Sequence, residues 1–178
     1  MPVDRAKRDP QADQGADFEA SRREPAPLLP NQLKSKAVRW LSVREHTRHE
    51  LAQKLARFCQ DEADLDRVLD DLEREGWQSD HRAARSLGRV KATKQGNALI
   101  AQQLRQKGIS QELIESTLES IEGSELQRAH EVWAKKFGRQ GVAEDFKERA
   151  RQARFLASRG FSSEVIRKVI GGDSGELL

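Results

Sequence analysis

An internal repeat constrains this 178-residue chain more than any other feature of its sequence. The segment Lys-Gly-Ile-Ser at residues 107–110 returns 52 positions later as Arg-Gly-Phe-Ser at residues 159–162, and an offset of 49 in the other direction aligns a third copy. The first offset pairs Leu104, Leu113, Ile114 and Leu118 with Leu156, Val165, Ile166 and Ile170, and the second pairs Ile100, Leu104, Ser110, Ile114, Leu118 and Ile121 with Leu51, Leu55, Asp61, Leu65, Leu69 and Leu72. Three copies of one unit predict a tandem array whose units pack against their neighbours.

The composition favours helices as the building blocks of this array. Charged residues make up 34% of the chain, aromatic residues only 5%, and tyrosine is absent. Strands prefer β-branched and aromatic residues, and no alternation of apolar and polar residues indicates a strand. We therefore predict an all-α fold, an elongated tandem array of three three-helix repeats.

Prolines and helix caps set the predicted boundaries. All five prolines fall in the first 33 residues, where five basic and six acidic residues are mixed, as is typical of a disordered arm. Thr47 with Glu50 and Ser124 with Gln127 have the spacing of capping boxes, and Asp61 is placed to cap a further helix. In the second unit, helices are predicted near residues 80–94, 97–107 and 110–121. The predicted segments are an arm at 1–33, repeats at 34–78, 79–122 and 123–172, and a frayed tail at 173–178.

Basic residues are concentrated in the second and third units. No acidic residue occurs in residues 81–111, whereas seven basic residues do. Arg82, Arg85 and Arg89 have the spacing of one helix side, and three basic residues of the third unit are spaced similarly. Such a surface suits a phosphate backbone or an acidic protein groove, and a merely solvated helix face is the alternative. The predicted partner- or DNA-binding residues are Arg82, Arg85, Arg89, Lys91, Lys94, Arg105, Lys107, Lys135, Lys136, Arg139, Lys147, Arg151 and Arg154.

The sequence nominates no catalytic centre and no cofactor. Phosphate-binding glycine loops and nucleophile elbows are missing, and His46 and His49 lack the order of zinc-protease ligands. Cys59, the only cysteine, is expected to be a small apolar helix residue. There is no run of eighteen apolar residues and no apolar signal-peptide core. We therefore expect a cytoplasmic monomer that is not an enzyme, needs no metal or cofactor, and does not associate with membranes.

Three sequence blocks, taken in order, resemble the bacterial RecX family. They are Arg-Glu-His-Thr-x-x-Glu-Leu at residues 44–51, Leu-Glu-Arg-Glu-Gly-Trp at residues 72–77 followed by Ser79 and Asp80, and Leu-Arg-Gln-Lys-Gly-Ile at residues 104–109. The resemblance extends over residues 34–171. It implies tandem three-helix units in a curved, elongated body, and a regulator of the RecA recombinase in recombination and DNA repair.

The resemblance also implies how such a protein acts. Members of the family are understood to lie in the helical groove of the RecA filament on single-stranded DNA, where they block strand exchange and ATP turnover and promote filament loss. The implied partners are the RecA filament and, through or beside it, single-stranded DNA. Two other interpretations stay open. A sequence-nonspecific nucleic-acid-binding protein is one, because each unit joins two helices by a short turn as helix-turn-helix modules do; a hydrolase with a dispersed site is the other.

Overall fold

The described residues form nine α-helices and no strand. The computed structural model describes residues 26–143 and 145–171, so most of the predicted arm and all of the predicted tail lie outside the described residues. The helices are α1 (Pro30–Leu41), α2 (Arg48–Ala56), α3 (Glu62–Arg74), α4 (Asp80–Ala92), α5 (Asn97–Gln106), α6 (Gln111–Glu119), α7 (Glu125–Phe137), α8 (Phe146–Ser158) and α9 (Ser163–Ile170).

The helices are grouped in three consecutive units, each around its own apolar core. Extensive packing between the described helices occurs within α1–α3, within α4–α6 and within α7–α9. The three cores contain Leu33, Leu51, Leu55 and Leu72 in the first unit, Ala84, Ile100, Leu104 and Ile114 in the second, and Ala129, Phe137, Leu156 and Val169 in the third. The predicted all-α array of three three-helix repeats is confirmed.

The starts of the third helices confirm the alignment of the repeats. Asp61, Ser110 and Ser162 occupy aligned positions, and each accepts a hydrogen bond from a backbone amide in the first turn of α3, α6 or α9, at 2.9, 3.3 and 3.3 Å. Thr47 and Ser124 form the predicted capping boxes at the starts of α2 and α7. Each cap satisfies an amide that has no partner within its own helix.

The first helix begins before residue 34, where the first unit was predicted to start. Pro30 lies in the first turn of α1, where its missing N–H costs nothing, and the Gln32 side chain accepts from the Leu29 amide at 3.0 Å. Leu33 is fully buried in the first core. Residues 30–33 therefore belong to the first unit, because the proline that suggested an arm instead starts a helix.

Small residues bring two helices of the second unit close together. Ala84, Gly88 and Ala92 lie one turn apart on the buried side of α4. A Cβ atom on Gly88 would lie 3.0 Å from Cγ2 of Thr117 on α6. Because this side of α4 is packed against its own unit, the opposite side of the helix carries the exposed basic residues.

Candidate functional site

The first and second units meet where a turn of one lies on the start of a helix in the other. In this contact, the first joint, residues 107–110 between α5 and α6 lie on the start of α2. Thr47 Oγ1 accepts from the Glu50 amide at 3.1 Å and donates to the Lys107 carbonyl at 2.8 Å. Lys107 also forms an ion pair with Glu50. Thr47 therefore caps its own helix and holds the neighbouring unit at the same time.

The second and third units meet through the same kind of contact, the second joint. Here residues 159–162, between α8 and α9, lie on the start of α5. The Gly96 amide donates to the Arg159 carbonyl at 2.8 Å, and the Ala98 amide donates to the Gly160 carbonyl at 3.2 Å. Residues 107–110 and 159–162 are the two copies of the repeated segment. The repeated segment of the sequence thus forms the contacts that join neighbouring units.

Glycine is required in both turns for two reasons. Gly108 and Gly160 have φ angles of +77° and +81°, in the left-handed region that other residues avoid. A Cβ atom on Gly108 would also lie 2.7 Å from Cβ of His49, and one on Gly160 would lie 2.5 Å from Cβ of Leu99. Any larger residue would therefore push the two units apart.

An acidic side chain completes each joint. Asp80 at the start of α4 accepts from the Arg48 amide at 2.8 Å, and Glu125 at the start of α7 accepts from the Asn97 amide at 2.8 Å. Arg48 and Asn97 are the first residues of α2 and α5, so their amides have no partner within their own helices. The two joints share the turn, the glycine and the carboxylate acceptor.

Neither end of the described array offers a free copy of this contact. In the first unit the corresponding turn, residues 58–61, contains no glycine, and the Phe58 carbonyl accepts from the Leu28 amide at 2.8 Å. In the third unit residue 148 aligns with Gly96, yet α8 already begins at Phe146, so the aligned position lies inside the helix. Among the described residues, the contact occurs twice, and neither end of the array repeats its geometry.

Glu50 is the electrostatic centre of the first joint. Arg44 donates to its carboxylate at 3.1 Å, the Thr47 amide donates at 3.1 Å, and Lys107 donates as well. Burial by itself raises the pKa of Glu50, but these hydrogen bonds outweigh burial and lower the pKa to about 2. Glu50 is therefore ionised at neutral pH and holds cations from both units.

Arg82 connects the first two of the three sequence blocks that resemble RecX. Its Nε donates to Glu45 at 2.8 Å, and its Nη2 donates to the carbonyls of Gly76 and Trp77 at 3.0 and 2.8 Å. Glu45 belongs to the first sequence block, and Gly76 and Trp77 belong to the second. With Lys107 from the third block nearby, the residues that carry the family resemblance converge where the first two units are joined.

The predicted basic residues fall into two groups. Arg82, Lys107 and Arg151 have carboxylate partners within the chain, while Lys136 lies over the Phe155 ring at 4.1 Å and Arg105 donates to Gln111. The remaining side chains form no hydrogen bond or ion pair with any residue in the described part of the chain. They are Arg85, Arg89, Lys91, Lys94, Lys135, Arg139, Lys147 and Arg154.

Arg85 and Arg89 open onto a groove of about 610 Å³ to which all three units contribute. The sequence spacing places Arg82, Arg85 and Arg89 on one side of α4, and the structure has all three along this groove. Its charged lining residues are Glu45 from the first unit, Arg82, Arg85, Arg89 and Glu122 from the second, and Arg128 and Glu131 from the third. The other predicted basic residues do not line it.

Arg128 is a groove residue that the sequence analysis missed. It is only 8% exposed, and its two Nη atoms donate to the Gly123 carbonyl at 3.1 Å and to Asn97 Oδ1 at 2.5 Å. Its Nε is buried and has no partner in the described structure. Burial lowers the pKa of Arg128, and the nearby Glu125 carboxylate opposes this shift. Its place beside Ala129 on the apolar side of α7 was the one sequence feature that could have indicated burial.

Residues 26–143 and 145–171 contain neither a membrane-spanning helix nor a cluster of metal ligands. No helix there combines the length and the apolar character needed to cross a bilayer. No three His, Cys, Asp or Glu side chains are grouped there as a metal ion would require.

Comparison with known proteins gives a consistent result over the three units. Models of the first, second and third three-helix domains of RecX match residues 34–72, 79–118 and 124–170 of this chain. The "Regulatory protein RecX" of Chromobacterium violaceum is 44% identical over 144 residues, covering 81% of this chain and 92% of that protein. That of Leptothrix cholodnii is 43% identical over 138 residues, covering 78% of this chain and 87% of that protein.

Solved structures agree on the fold. The crystal structure of RecX from Lactobacillus salivarius matches with a TM-score of 0.68 at 21% sequence identity, covering 80% of this chain and 94% of that one. A second crystal structure of a regulatory protein RecX also matches with a TM-score of 0.68, at 24% identity, covering 82% of this chain and 72% of that one.

Proposed function

Because this chain belongs to the RecX family, we propose that it regulates the RecA recombinase. It binds in the helical groove of the RecA filament on single-stranded DNA, where it lowers ATP hydrolysis and strand exchange and promotes filament disassembly. It acts by binding, as a cytoplasmic monomer, and catalyses no reaction of its own. The ordered match of all three domains is the observation that supports this proposal.

The basic side chains of the second and third units form the proposed contact surface. Lys91 on α4, Lys94 in the turn after it, and Lys147 and Arg154 on α8 have no partner among the described residues, so they do not have to break an internal ion pair in order to bind. Exposed cations attract an acidic protein surface and a phosphate backbone alike. For Arg82, Lys107 and Arg151, which already contact carboxylates, we propose a supporting role.

Purified protein at substoichiometric ratios should lower both the ATPase activity of RecA on single-stranded DNA and the rate of strand exchange. The double variant Lys94→Glu/Arg154→Glu should need about tenfold more protein for the same inhibition. The matched control is Arg39→Glu/Arg67→Glu, which changes the net charge equally but on the first unit. If the wild-type protein does not inhibit at any ratio, the assignment is wrong. If both variants inhibit alike, the basic surface is not the contact.

Salt dependence separates this proposal from sequence-nonspecific nucleic-acid binding. Binding to DNA alone should fall steeply as salt rises, because counterions are released from the phosphates, whereas a mainly protein–protein complex should need RecA and depend less on salt. Fluorescence anisotropy of labelled single-stranded DNA, with and without RecA over a range of salt concentrations, measures the salt dependence of binding and its dependence on RecA. Equally tight binding without RecA would favour the alternative.

A further inference from the structure

The groove between the three units carries free charges of both signs on separate elements. Arg85 and Arg89 lie on α4, whereas Glu122 follows α6 and Glu131 lies on α7. All four side chains are exposed, and none forms a hydrogen bond or ion pair with a residue in the described ranges. The groove lining therefore includes two unpaired guanidinium groups on α4 and two unpaired carboxylates on other elements.

The remaining charges of the groove are already engaged within the protein. Arg82 is held by Glu45 at 2.8 Å. Arg128 uses its Nη atoms on the Gly123 carbonyl and on Asn97, which leaves its buried Nε–H as an unused donor. A buried donor without a partner is costly, and a ligand oxygen that reached it would remove that cost.

This arrangement discriminates between two classes of ligand. A nucleic-acid strand carries a negative charge on every phosphate, so it would gain from Arg85 and Arg89 but would be repelled by Glu122 and Glu131. A polypeptide segment can carry both signs and so can complement both sides. The planar guanidinium groups of the arginines match the two oxygens of a carboxylate and of a phosphate alike, so the discrimination comes from Glu122 and Glu131.

We propose that the groove binds a polypeptide segment of RecA, with carboxylate side chains directed to Arg85 and Arg89 and a basic side chain directed to Glu122 and Glu131. This inference rests on the proposed function, since it assigns the groove to the protein component of the filament. Phosphates are contacted by basic residues outside the groove, such as Lys94 and Arg154.

Charge reversal on each side of the groove tests this assignment. Inhibition of RecA ATP hydrolysis on single-stranded DNA is measured for Arg85→Glu/Arg89→Glu and for Glu122→Lys/Glu131→Lys, and circular dichroism verifies the helical content. Each variant should raise the half-inhibitory concentration about tenfold. The fourfold variant that combines both has the net charge of the wild type and should remain defective. Glu115→Lys/Glu119→Lys, which adds the same charge on α6 outside the groove, should inhibit at least as well as the wild type.

Whether Glu122→Lys/Glu131→Lys weakens or strengthens inhibition decides between a polypeptide and a nucleic-acid strand as the ligand of the groove. If phosphates occupy the groove, Glu122→Lys/Glu131→Lys adds four units of favourable charge and should inhibit better than the wild type, which would overturn the proposal. Inhibition equal to that of the wild type would overturn it as well. If the lysine variant folds poorly, Glu122→Gln/Glu131→Gln replaces it in the same assay, and a smaller loss of inhibition is expected. Failure of the wild-type protein to inhibit, in contrast, would overturn the proposed function itself, and the groove assignment with it.

Discussion

At the scale of single residues, the glycines of the joints offer the sharpest test of the fold. Gly108→Ala and Gly160→Ala should each destabilise the protein by about 2–4 kcal/mol, because the left-handed backbone costs about 1–2 kcal/mol and the new Cβ atom collides with His49 or Leu99. Urea unfolding measures the loss. Thermal unfolding of the same variants provides an independent readout.

A third glycine separates the two causes. Gly76 has a φ of +76°, and a Cβ atom there would meet nothing within 4 Å. Gly76→Ala should therefore show the backbone cost alone, about 1–2 kcal/mol. If Gly76→Ala and Gly108→Ala lose equal stability, the close approach at the joint contributes nothing.

Glu50 should make the stability of the first joint depend on pH. Its pKa lies at about 2 in the folded protein against an ordinary value of 4.5, so its contribution is complete above pH 4.5 and is lost as the pH falls towards 2. At neutral pH, Glu50→Gln should lose on the order of 2–3 kcal/mol of unfolding free energy. Urea unfolding at a series of pH values should show this difference shrinking in acid. Glu119→Gln, at an exposed residue of α6 outside the joint, is the control, and a constant difference for Glu50→Gln would contradict the prediction.

Gln152 shows why burial could not be assigned from residue type alone. The repeat aligns it with Ile100 and Leu51, both core residues, yet a glutamine in a basic helix would ordinarily be placed at the surface. It is fully buried, because its Oε1 accepts from the Trp133 indole at 2.9 Å and its Nε2 donates to the Gly141 carbonyl at 3.1 Å. Here the alignment of the repeats is a better guide than the chemistry of the side chain.

At the scale of elements, the helix caps differ in what they hold. Ser110→Ala should cost about 1 kcal/mol, since Ser110 caps only α6. Thr47→Ala should cost about 2 kcal/mol, because the hydroxyl also donates across the joint to the Lys107 carbonyl. Urea unfolding measures the free energy of unfolding of both variants. Equal losses would mean that the bond between units adds no stability.

The helices themselves could be predicted, because the information that specifies them is local. Caps such as Asp61 and Ser124 act within three residues, and apolar positions recur within one or two turns. The contacts between units could not, since Thr47 and Lys107 are 60 residues apart and Arg82 and Glu45 are 37 apart. Nothing in the local spacing of charges reveals that Arg82 is already paired.

At the scale of the whole molecule, the same limit applies to the groove. The acid-free window contains Arg85 and Arg89, and the structure has both of them along the groove. The carboxylates of Glu122 and Glu131 lie beyond that window in the sequence, and Glu131 lines the groove only because the third unit is joined to the second. The mixed sign of the surface is therefore a property of how the units are joined, which composition does not contain.

The turn of the first unit predicts that the protein stays monomeric. A second molecule that extended the array would have to place this turn, residues 58–61, on the start of α8, but the turn contains no glycine and its Phe58 carbonyl already accepts from the Leu28 amide. Sedimentation velocity over a wide range of protein concentrations should show a single species of about 20.2 kDa. A mass that rises with concentration would contradict this prediction and would point to a different contact.

The groove has a consequence for damaged or incomplete chains. Its charged lining residues come from all three units, so no single unit carries the complete groove. A chain cut between units therefore loses the complete surface. A ligand that contacts residues of all three units would distinguish an intact chain from a truncated one.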